Sequence, residues 1–201
     1  MNSKRCVNVM DFRERAKRVL PHAIFEYMDG GADDEWTLAQ NTDAFEQILF
    51  EPRTLVDVSK IRLKTSVLGC DLSAPLILST TGMSRLFSHE KEIAVARAAH
   101  KQGLAYTLST MATTSLEDIS AECELKVFQI YILKDRGLTR DHLARCKEAG
   151  YNALCLTVDT PIAGNRERDR RTGFVMPPKF SWKNLINFAM HPTWSLRLAS
   201  D

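Results

Sequence analysis

The amino-acid sequence predicts an α/β fold in which short buried strands alternate with helices. Three observations support this: four apolar runs of strand length, helical segments between them, and a spacing of about 25 residues from run to run. The runs are continuously apolar, which is typical of parallel strands buried on both faces. They lie at residues 75–79, 104–108, 127–132 and 153–158.

The segment before the first run is predicted to be mainly helical. Asn8 is the expected N-cap of a first helix, and Pro21 interrupts the helical pattern before it resumes. The Gly30-Gly31 pair ends the second helix, because glycine commonly follows a helix C-terminus. A third helix is predicted over residues 33–44.

The centre of the chain begins with a predicted hairpin at residues 63–72, and helices then separate the apolar runs. These helices are predicted at residues 89–102, 115–121 and 138–149. A doubly wound sheet and a barrel both satisfy this alternation, and periodicity alone does not distinguish them. A complete eight-stranded barrel typically needs ~250 residues, and only four strand–helix units are predicted from these 201 residues.

Composition and charge exclude several classes of protein. No segment approaches the ~18 consecutive apolar residues of a membrane span, and the N-terminus has no apolar core like that of a signal peptide. A formal net charge of +2 does not indicate nucleic-acid binding. The five cysteines are scattered and form no CxxC pair, which disfavours a disulfide framework or a metal site. We expect a soluble cytoplasmic protein with reduced thiols.

Polar residues stand at the ends of all four apolar runs. In both candidate folds, catalytic and ligand-binding residues lie beyond the carboxyl ends of the strands. A single Ser or Thr in such a place is usually a helix N-cap, but four consecutive polar strand ends indicate a binding site. The candidate residues, in chain order, are Thr80, Thr81, Gly82, Ser109, Gln129, Tyr131, Thr157, Asp159 and Arg166.

The residue types suggest what such a site could bind. Ser109, Gln129 and Thr157 could form hydrogen bonds with a flat heterocycle, and Gly82 would allow a ligand to approach the backbone closely. Arg166 offers a planar fork that suits a carboxylate or a phosphate.

Two further expectations concern charge near the fourth run. Asp159 is expected inside an apolar strand end, where a carboxylate needs a partner. The charged residues 167–171 are interpreted as a solvated loop.

An ordered series of motifs covers almost the whole chain: residues 25–37, 50–58, 75–83, 108–110, 128–131, 156–161 and 164–169. Together they resemble the FMN-dependent α-hydroxy-acid oxidases and dehydrogenases, which include glycolate oxidase, L-lactate dehydrogenase and mandelate dehydrogenase. The resemblance implies the N-terminal half of a (β/α)8 TIM barrel. A helical segment over 1–60 would precede four βα units over 61–171, and 172–201 would start a long variable connection.

The same resemblance implies a role for each candidate residue, with FMN as the cofactor at the carboxyl ends of the strands. The backbone of Thr80, Thr81 and Gly82 would lie against the flavin, and Ser109, Gln129 and Thr157 would bind its ring. Tyr27, Tyr131 and Arg166 would bind the substrate, and Asp159 would pair with a catalytic histidine. Many members carry Ala at the place of Gly82. Met111 stands where some short-chain oxidases carry Trp, which disfavours a simple preference for glycolate.

The implied activity is oxidation of a lactate-like L-2-hydroxy acid to the 2-oxo acid, with oxygen, a quinone or a cytochrome as electron acceptor. None of the five histidines is assigned as the base, which is expected beyond residue 201. The intact protein is expected to be a homo-oligomer, and the 201-residue chain alone to be inactive. The alternatives are a half-barrel that acts only as a binding or assembly module, and a different FMN- or phosphate-binding barrel.

The last segment contains an apolar helix face. Trp182, Leu185, Ile186 and Ala189 have the spacing i, i+3, i+4 and i+7. Two interpretations are open: the helix packs on the barrel, or residues 179–198 make a peripheral contact with the cytoplasmic face of a membrane.

Overall fold

The computed structural model describes residues 5–159, 161–175 and 177–200. The chain forms two compact units. One combines Met1–Thr54 with Ile162–Asp201, and the other is Leu55–Pro161. The first unit is helical, and the second contains the strands.

The N-terminal helices follow the sequence signals closely. α1 spans Val9–Val19, and the side chain of Asn8 caps it by accepting a hydrogen bond from the Asp11 N–H at 2.8 Å. α2 spans His22–Asp29, and α3 spans Trp36–Asp43 before a 3₁₀ turn at Ala44–Gln47. α3 begins later than predicted because Asp33 and Glu35 have left-handed φ values of 48° and 58°, which a helix cannot include.

The predicted hairpin is present in the second unit. β1 (Thr65–Val67) pairs antiparallel with β2 (Cys70–Leu72). Leu68 and Gly69 join them with φ values of 54° and 75°. Two consecutive positive φ values belong to the tight turn whose twist matches that of the paired strands.

A four-stranded parallel sheet follows, with the elements β3 (Ile77–Leu78), α4 (Lys91–Lys101), β4 (Ala105–Ser109), α5 (Leu116–Glu122), β5 (Lys126–Ile130), α6 (Arg136–Glu148) and β6 (Ala153–Leu156). The strands lie side by side in chain order, β3-β4-β5-β6. A doubly wound sheet reverses its strand order at a switch point, whereas these strands proceed in one direction, as in a barrel. The four predicted parallel strands are therefore confirmed, although β5 and β6 each end two residues early and β3 has only two residues.

The two faces of this sheet differ in character. Tyr106, Leu108, Phe128 and Ile130 point towards α4, α5 and α6 and form the core, each no more than 3% exposed. Alternate residues of the same strands point to the opposite face. There Ser109 lies beside Gln129, and Gln129 lies beside Cys155. The polar strand-end residues of β4 and β5 therefore share the face away from the helices.

Three more helices complete the first unit: α7 (Glu167–Thr172), α8 (Trp182–Ala189) and α9 (Pro192–Ala199). Within this unit the apolar face of α8 is largely exposed, and the interpretation that it packs on the barrel stays a prediction. Trp182, Leu185 and Ile186 are 67%, 61% and 50% exposed. The less exposed face contains both polar and aromatic residues. Asn184 donates to the Thr172 carbonyl at 2.7 Å, Asn187 accepts from the His22 N–H at 2.7 Å, and Phe188 packs against two aromatic rings. Among the helices that the structure describes, none is long and apolar enough to cross a membrane.

Candidate functional site

Three polar side chains at adjacent strand ends are joined in one row. The Ser109 hydroxyl donates to Gln129 Oε1 at 3.0 Å, and Gln129 Nε2 donates to Thr157 Oγ1 at 2.5 Å. Ser109 and Gln129 are buried, and Thr157 is half-buried. The Thr157 N–H also bonds to the Ile130 carbonyl at 3.1 Å, which extends the β5–β6 pairing one step beyond the strand. The structure therefore brings these three predicted residues together.

The row has hydrogen-bonding capacity left for a ligand. Gln129 Oε1 also accepts from the Thr110 N–H at 3.3 Å, so both of its lone pairs are used. Only one of the two N–H groups of the Gln129 amide is used within the part of the chain that the structure describes. Thr157 accepts in this row, so its own O–H remains a donor. The row thus presents uncharged donors that suit the polar edge of a flat heterocycle.

Beside this row, the loop after β3 contains Thr80, Thr81 and Gly82. Thr80 is half-buried and lines an open hollow of about 400 Å³ together with Thr107 and Cys155. Thr81 is exposed. A Cβ at Gly82 would lie 3.1 Å from the Cβ of Met111, so alanine here needs a shift of a few tenths of an ångström.

The loop after β4 is fixed to the loop after β3 by a buried carboxylate that the sequence analysis did not select. Glu92 is fully buried and accepts from the N–H groups of Ser84 and Thr113 and from the hydroxyls of Thr113 and Thr114. Burial raises the pKa of Glu92, but these hydrogen bonds outweigh that effect and the net pKa is lowered.

Tyr131 and Asp159 stand at the ends of β5 and β6. Tyr131 is half-buried, and its N–H donates to Thr110 Oγ1 at 3.2 Å. Asp159 is exposed and makes no hydrogen bond or ion pair with the other residues that the structure describes. The expectation of a buried Asp159 inside a strand is therefore wrong. β6 ends at Leu156, and Asp159 lies three residues beyond the strand at an exposed position.

The two remaining candidates, Tyr27 and Arg166, contact each other within the first unit. The Arg166 guanidinium lies 5.1 Å from the centroid of the Tyr27 ring and donates to the Tyr27 carbonyl. Its Nε donates to the buried Asp169 at 2.6 Å. The Tyr27 ring packs against Phe174, with 4.4 Å between ring centroids. These contacts hold the guanidinium in one orientation.

The charged segment that was interpreted as a solvated loop instead forms helix α7 and an ion-pair network. Arg168 pairs with Glu26 at 3.1 Å, Asp29 at 3.2 Å and Glu35 at 2.5 Å. Arg13 also pairs with Asp29, and its hydrogen bond is the largest cause of the lowered pKa of Asp29. Sequence could not identify these partners, because they lie more than 100 residues away from Arg168.

Each of the histidines lies on a helix or directly beside one. Three are exposed on or beside helices, namely His22, His89 and His100. His142 packs edge-on against Phe128, and His191 Nδ1 lies 2.7 Å from the Asn187 carbonyl. Within residues 5–159, 161–175 and 177–200, no group of three or more His, Cys, Asp or Glu side chains is arranged to hold a metal ion.

Glu92 carried a signal that the sequence analysis missed. It precedes the buried residues Ala96 and Ala99 by four and seven positions, and so shares their helix face. A charged residue on an apolar helix face indicates a buried polar contact, because a carboxylate is rarely buried without partners.

Comparison with known proteins reveals one family. The model of the FMN-dependent dehydrogenases matches residues 16–201. Glycolate oxidase 3 of Oryza sativa subsp. indica is 43% identical over 178 residues, which cover 88% of this chain and 48% of that protein. Glycolate oxidase of Spinacia oleracea is 42% identical with the same coverage. The chain spans about half the length of the curated relatives that it matches.

Solved structures give the same result. The crystal structure of the monotopic membrane protein (S)-mandelate dehydrogenase superposes with a TM-score of 0.90 at 36% identity, covering 98% of this chain and 52% of that one. A soluble mutant of the membrane-associated (S)-mandelate dehydrogenase from Pseudomonas putida gives a TM-score of 0.80 at 37% identity, with coverage of 89% and 51%.

Proposed function

Because this chain belongs to the family of FMN-dependent dehydrogenases, we propose that its protein oxidises an L-2-hydroxy acid to the 2-oxo acid. Its fold is the N-terminal half of a TIM barrel, and FMN is the cofactor of the family. The observation that carries the proposal is the row of Ser109, Gln129 and Thr157 at adjacent strand ends. These uncharged donors and acceptors fit the polar edge of an isoalloxazine ring, which carries both ring nitrogens and carbonyl oxygens.

The remaining residues have roles that follow from their chemistry. Bound FMN supplies a two-electron acceptor. Arg166 would neutralise and orient the substrate carboxylate, since its planar fork matches the two oxygens. The phenol groups of Tyr27 and Tyr131 would form hydrogen bonds with the carboxylate and the hydroxyl of the substrate. Asp159 would stabilise a protonated imidazole on the base, and its exposed position leaves its carboxylate free to do so.

For the substrate we propose a small alkyl 2-hydroxy acid such as L-lactate. Met111 is 53% exposed beside Gly82, and its flexible apolar side chain suits the methyl group of lactate better than the hydrogen that glycolate carries in its place. The relatives are named for glycolate and mandelate, so the informative comparison is among glycolate, L-lactate and L-mandelate.

The test uses the protein expressed from the full reading frame that contains this chain. We expect a yellow protein whose flavin absorption is bleached anaerobically by L-lactate faster than by glycolate or L-mandelate. Arg166→Met should lower kcat/KM roughly 100-fold or more, whereas Arg170→Met, at an exposed arginine on the helix that follows Arg166, should leave it unchanged. A colourless protein, or a flavin that none of the three acids bleaches, would refute the proposal.

The second candidate function is an inactive binding or assembly module. It is favoured by the apolar side chains of β6, since Leu154 and Leu156 are about half exposed and suited to contact with further protein. The flavin test on the protein from the full reading frame separates the candidates, because none of the three acids would bleach a flavin on an inactive module. For residues 1–201 expressed alone, both candidates predict the same result. We expect that chain to be colourless and inactive with L-lactate, and dye reduction by it would contradict this expectation.

We also propose a peripheral contact with the cytoplasmic face of a membrane. Trp182, Leu185 and Ile186 form an exposed apolar face on α8, and Lys179 and Lys183 lie beside it. Apolar residues flanked by lysines suit the boundary between lipid headgroups and acyl chains.

Flotation with anionic liposomes tests this contact. Replacing both Trp182 and Leu185 by Glu should release the protein from the vesicles, whereas Phe45→Glu should not, although Phe45 is 73% exposed in the same unit. If the double variant floats like the unmodified protein, the membrane contact is excluded. If the unmodified protein does not float, the membrane contact is likewise excluded. Sedimentation of the same protein then tests the expected homo-oligomer.

A further inference from the structure

Glu92 connects two loops that follow neighbouring strands. Its Oε1 accepts from the N–H groups of Ser84 at 3.2 Å and Thr113 at 3.0 Å. Its Oε2 accepts from the hydroxyls of Thr113 at 2.8 Å and Thr114 at 2.7 Å. One carboxylate thus uses all four of its acceptor sites, and it takes donors from both the β3–α4 loop and the β4–α5 loop.

These are the two loops that contain Gly82 and Met111. The Met83 N–H donates directly to the Met111 carbonyl at 2.8 Å. Met83 has a left-handed φ of 53°, which is unfavourable for a residue with a side chain. Such a conformation persists only where surrounding contacts impose it. Glu92 binds close to both members of this contact. Ser84 directly follows the strained Met83, and Thr113 lies two residues after Met111.

A carboxylate at this buried place is costly unless donors surround it. The other buried residues on the same face of α4, Ala96 and Ala99, are apolar and stabilise the core by packing alone. Glu92 differs because its removal would leave four donors in a closed space without an acceptor. The loops would then have to move to find other partners.

Resting on the proposed function, we infer that Glu92 is a positioning residue which holds the backbone around Gly82 and Met111 in the arrangement that binds FMN. Glu92 itself need not touch the cofactor. The two loops are fixed to each other by the carboxylate, so that the strand-end row and the Gly82 loop form one preorganised surface.

Two measurements on the protein from the full reading frame test this inference: hydrogen exchange of the Ser84 and Thr113 amides, and the Kd for FMN added to the apoprotein. Glu92→Ala should accelerate the exchange of both amides and weaken FMN binding, each by about 10-fold or more. Glu92→Gln retains an acceptor for the two N–H groups and should restore most of both values. Thr114→Val removes one hydroxyl donor and should give an intermediate effect even if Glu92→Ala does not fold.

The matched control is Ile119→Val, a small truncation at a fully buried position on α5 whose apolar side chain offers Glu92 no hydrogen bond. It should lower the thermal stability without changing the exchange of Ser84 and Thr113 or the Kd for FMN. If Thr114→Val changes these quantities no more than Ile119→Val does, Glu92 only stabilises the core and the inference is wrong. If the unmodified protein binds no FMN, the proposed function fails, while hydrogen exchange still decides whether Glu92 fixes the loops.

Discussion

At the scale of single residues, the second unit contains two buried polar centres of different kinds. Gln129 is uncharged and 5% exposed. Its amide accepts a hydrogen bond from Ser109 and donates one to Thr157 along the strand ends. Glu92 is charged and gathers donors from two loops. An uncharged amide can exchange its protein partners for a ligand at little cost. A buried carboxylate cannot lose its donors, and so it suits a fixed support.

Replacing Gln129 by Leu should therefore affect both stability and cofactor binding. The change leaves the Ser109 hydroxyl without its acceptor and removes the donor to Thr157 Oγ1, which should lower the free energy of unfolding by roughly 1–3 kcal/mol. Urea unfolding measures this change. Gln102→Leu, at the exposed C-cap of α4, is the matched control and should stay within about 0.5 kcal/mol of the unmodified protein. Equal effects of the two substitutions would contradict a structural role for the row.

Acid should remove a small stabilising contribution from Glu117. Hydrogen bonds from Arg145 lower the pKa of Glu117 to about 2, so the pair stabilises the folded state above the ordinary glutamate pKa of about 4.3. This contribution is lost as the pH falls from about 4.3 through 2. Because Glu117 is 53% exposed, it should not exceed about 1 kcal/mol.

The comparison of Glu117→Gln with the unmodified protein by urea unfolding measures this contribution. The difference in unfolding free energy should be present at pH 6 and should shrink towards pH 2. Glu124→Gln, at an exposed glutamate without an ion pair among the described residues, should show no comparable pH dependence. A difference for Glu117→Gln that stays constant from pH 6 to pH 2 would show that the ion pair contributes nothing.

At the scale of elements, helix ends are the places where sequence and structure agree most closely. Gly103 and Gly150 follow α4 and α6 with φ values of 63° and 67°. In both cases the left-handed glycine ends the helix and turns the chain into the next strand. The surroundings differ, because a Cβ at Gly103 would collide with the Ser73 side chain, whereas a Cβ at Gly150 has no atom within 4 Å.

Alanine substitutions at these two glycines distinguish the energetic cost of a left-handed backbone from the cost of a steric collision. Gly150→Ala should cost only the left-handed conformation, roughly 1–2 kcal/mol. Gly103→Ala should cost more, because the methyl group must also displace Ser73, whose N–H bonds to the Gly103 carbonyl at 2.9 Å. Thermal unfolding of both variants gives the comparison. Equal losses would indicate that Ser73 rotates away without cost.

At the scale of the whole molecule, the sheet has open edges. β3 and β6 each have one neighbouring strand in the described sheet. Leu156 on β6 is 52% exposed and Val158 just beyond it is 80% exposed. An exposed edge with apolar side chains invites pairing with another chain. Residues 1–201, expressed alone, should therefore self-associate.

A lysine on the edge strand should reduce this self-association, because a charge resists burial between two sheets. Leu156→Lys should shift the sedimentation profile of residues 1–201 towards the monomer. Leu49→Lys, at a residue that is 87% exposed outside the sheets, is the matched control and should have little effect. If both substitutions act equally, association does not occur through the sheet edge.

Much of the fold could be predicted from the sequence because its signals are local. The Asn8 cap, the glycines after the helices and the four apolar runs each depend on residues within one element. The grouping of Ser109, Gln129 and Thr157 was also predictable, since carboxyl ends of parallel strands share one edge. The start of α3 was not, because it depends on the left-handed conformations of Asp33 and Glu35.

The sequence by itself determined the kinds of element, their order and the family to which the chain belongs, because periodicity, caps and motifs are written in contiguous residues. The tertiary structure alone decided the outward face of α8, the solvent exposure of Asp159, the partners of Arg168 and the four donors around Glu92. Each of these features depends on which distant segments of the chain come together. The burial of a side chain and the formation of an ion pair are both set by neighbours that are remote in sequence.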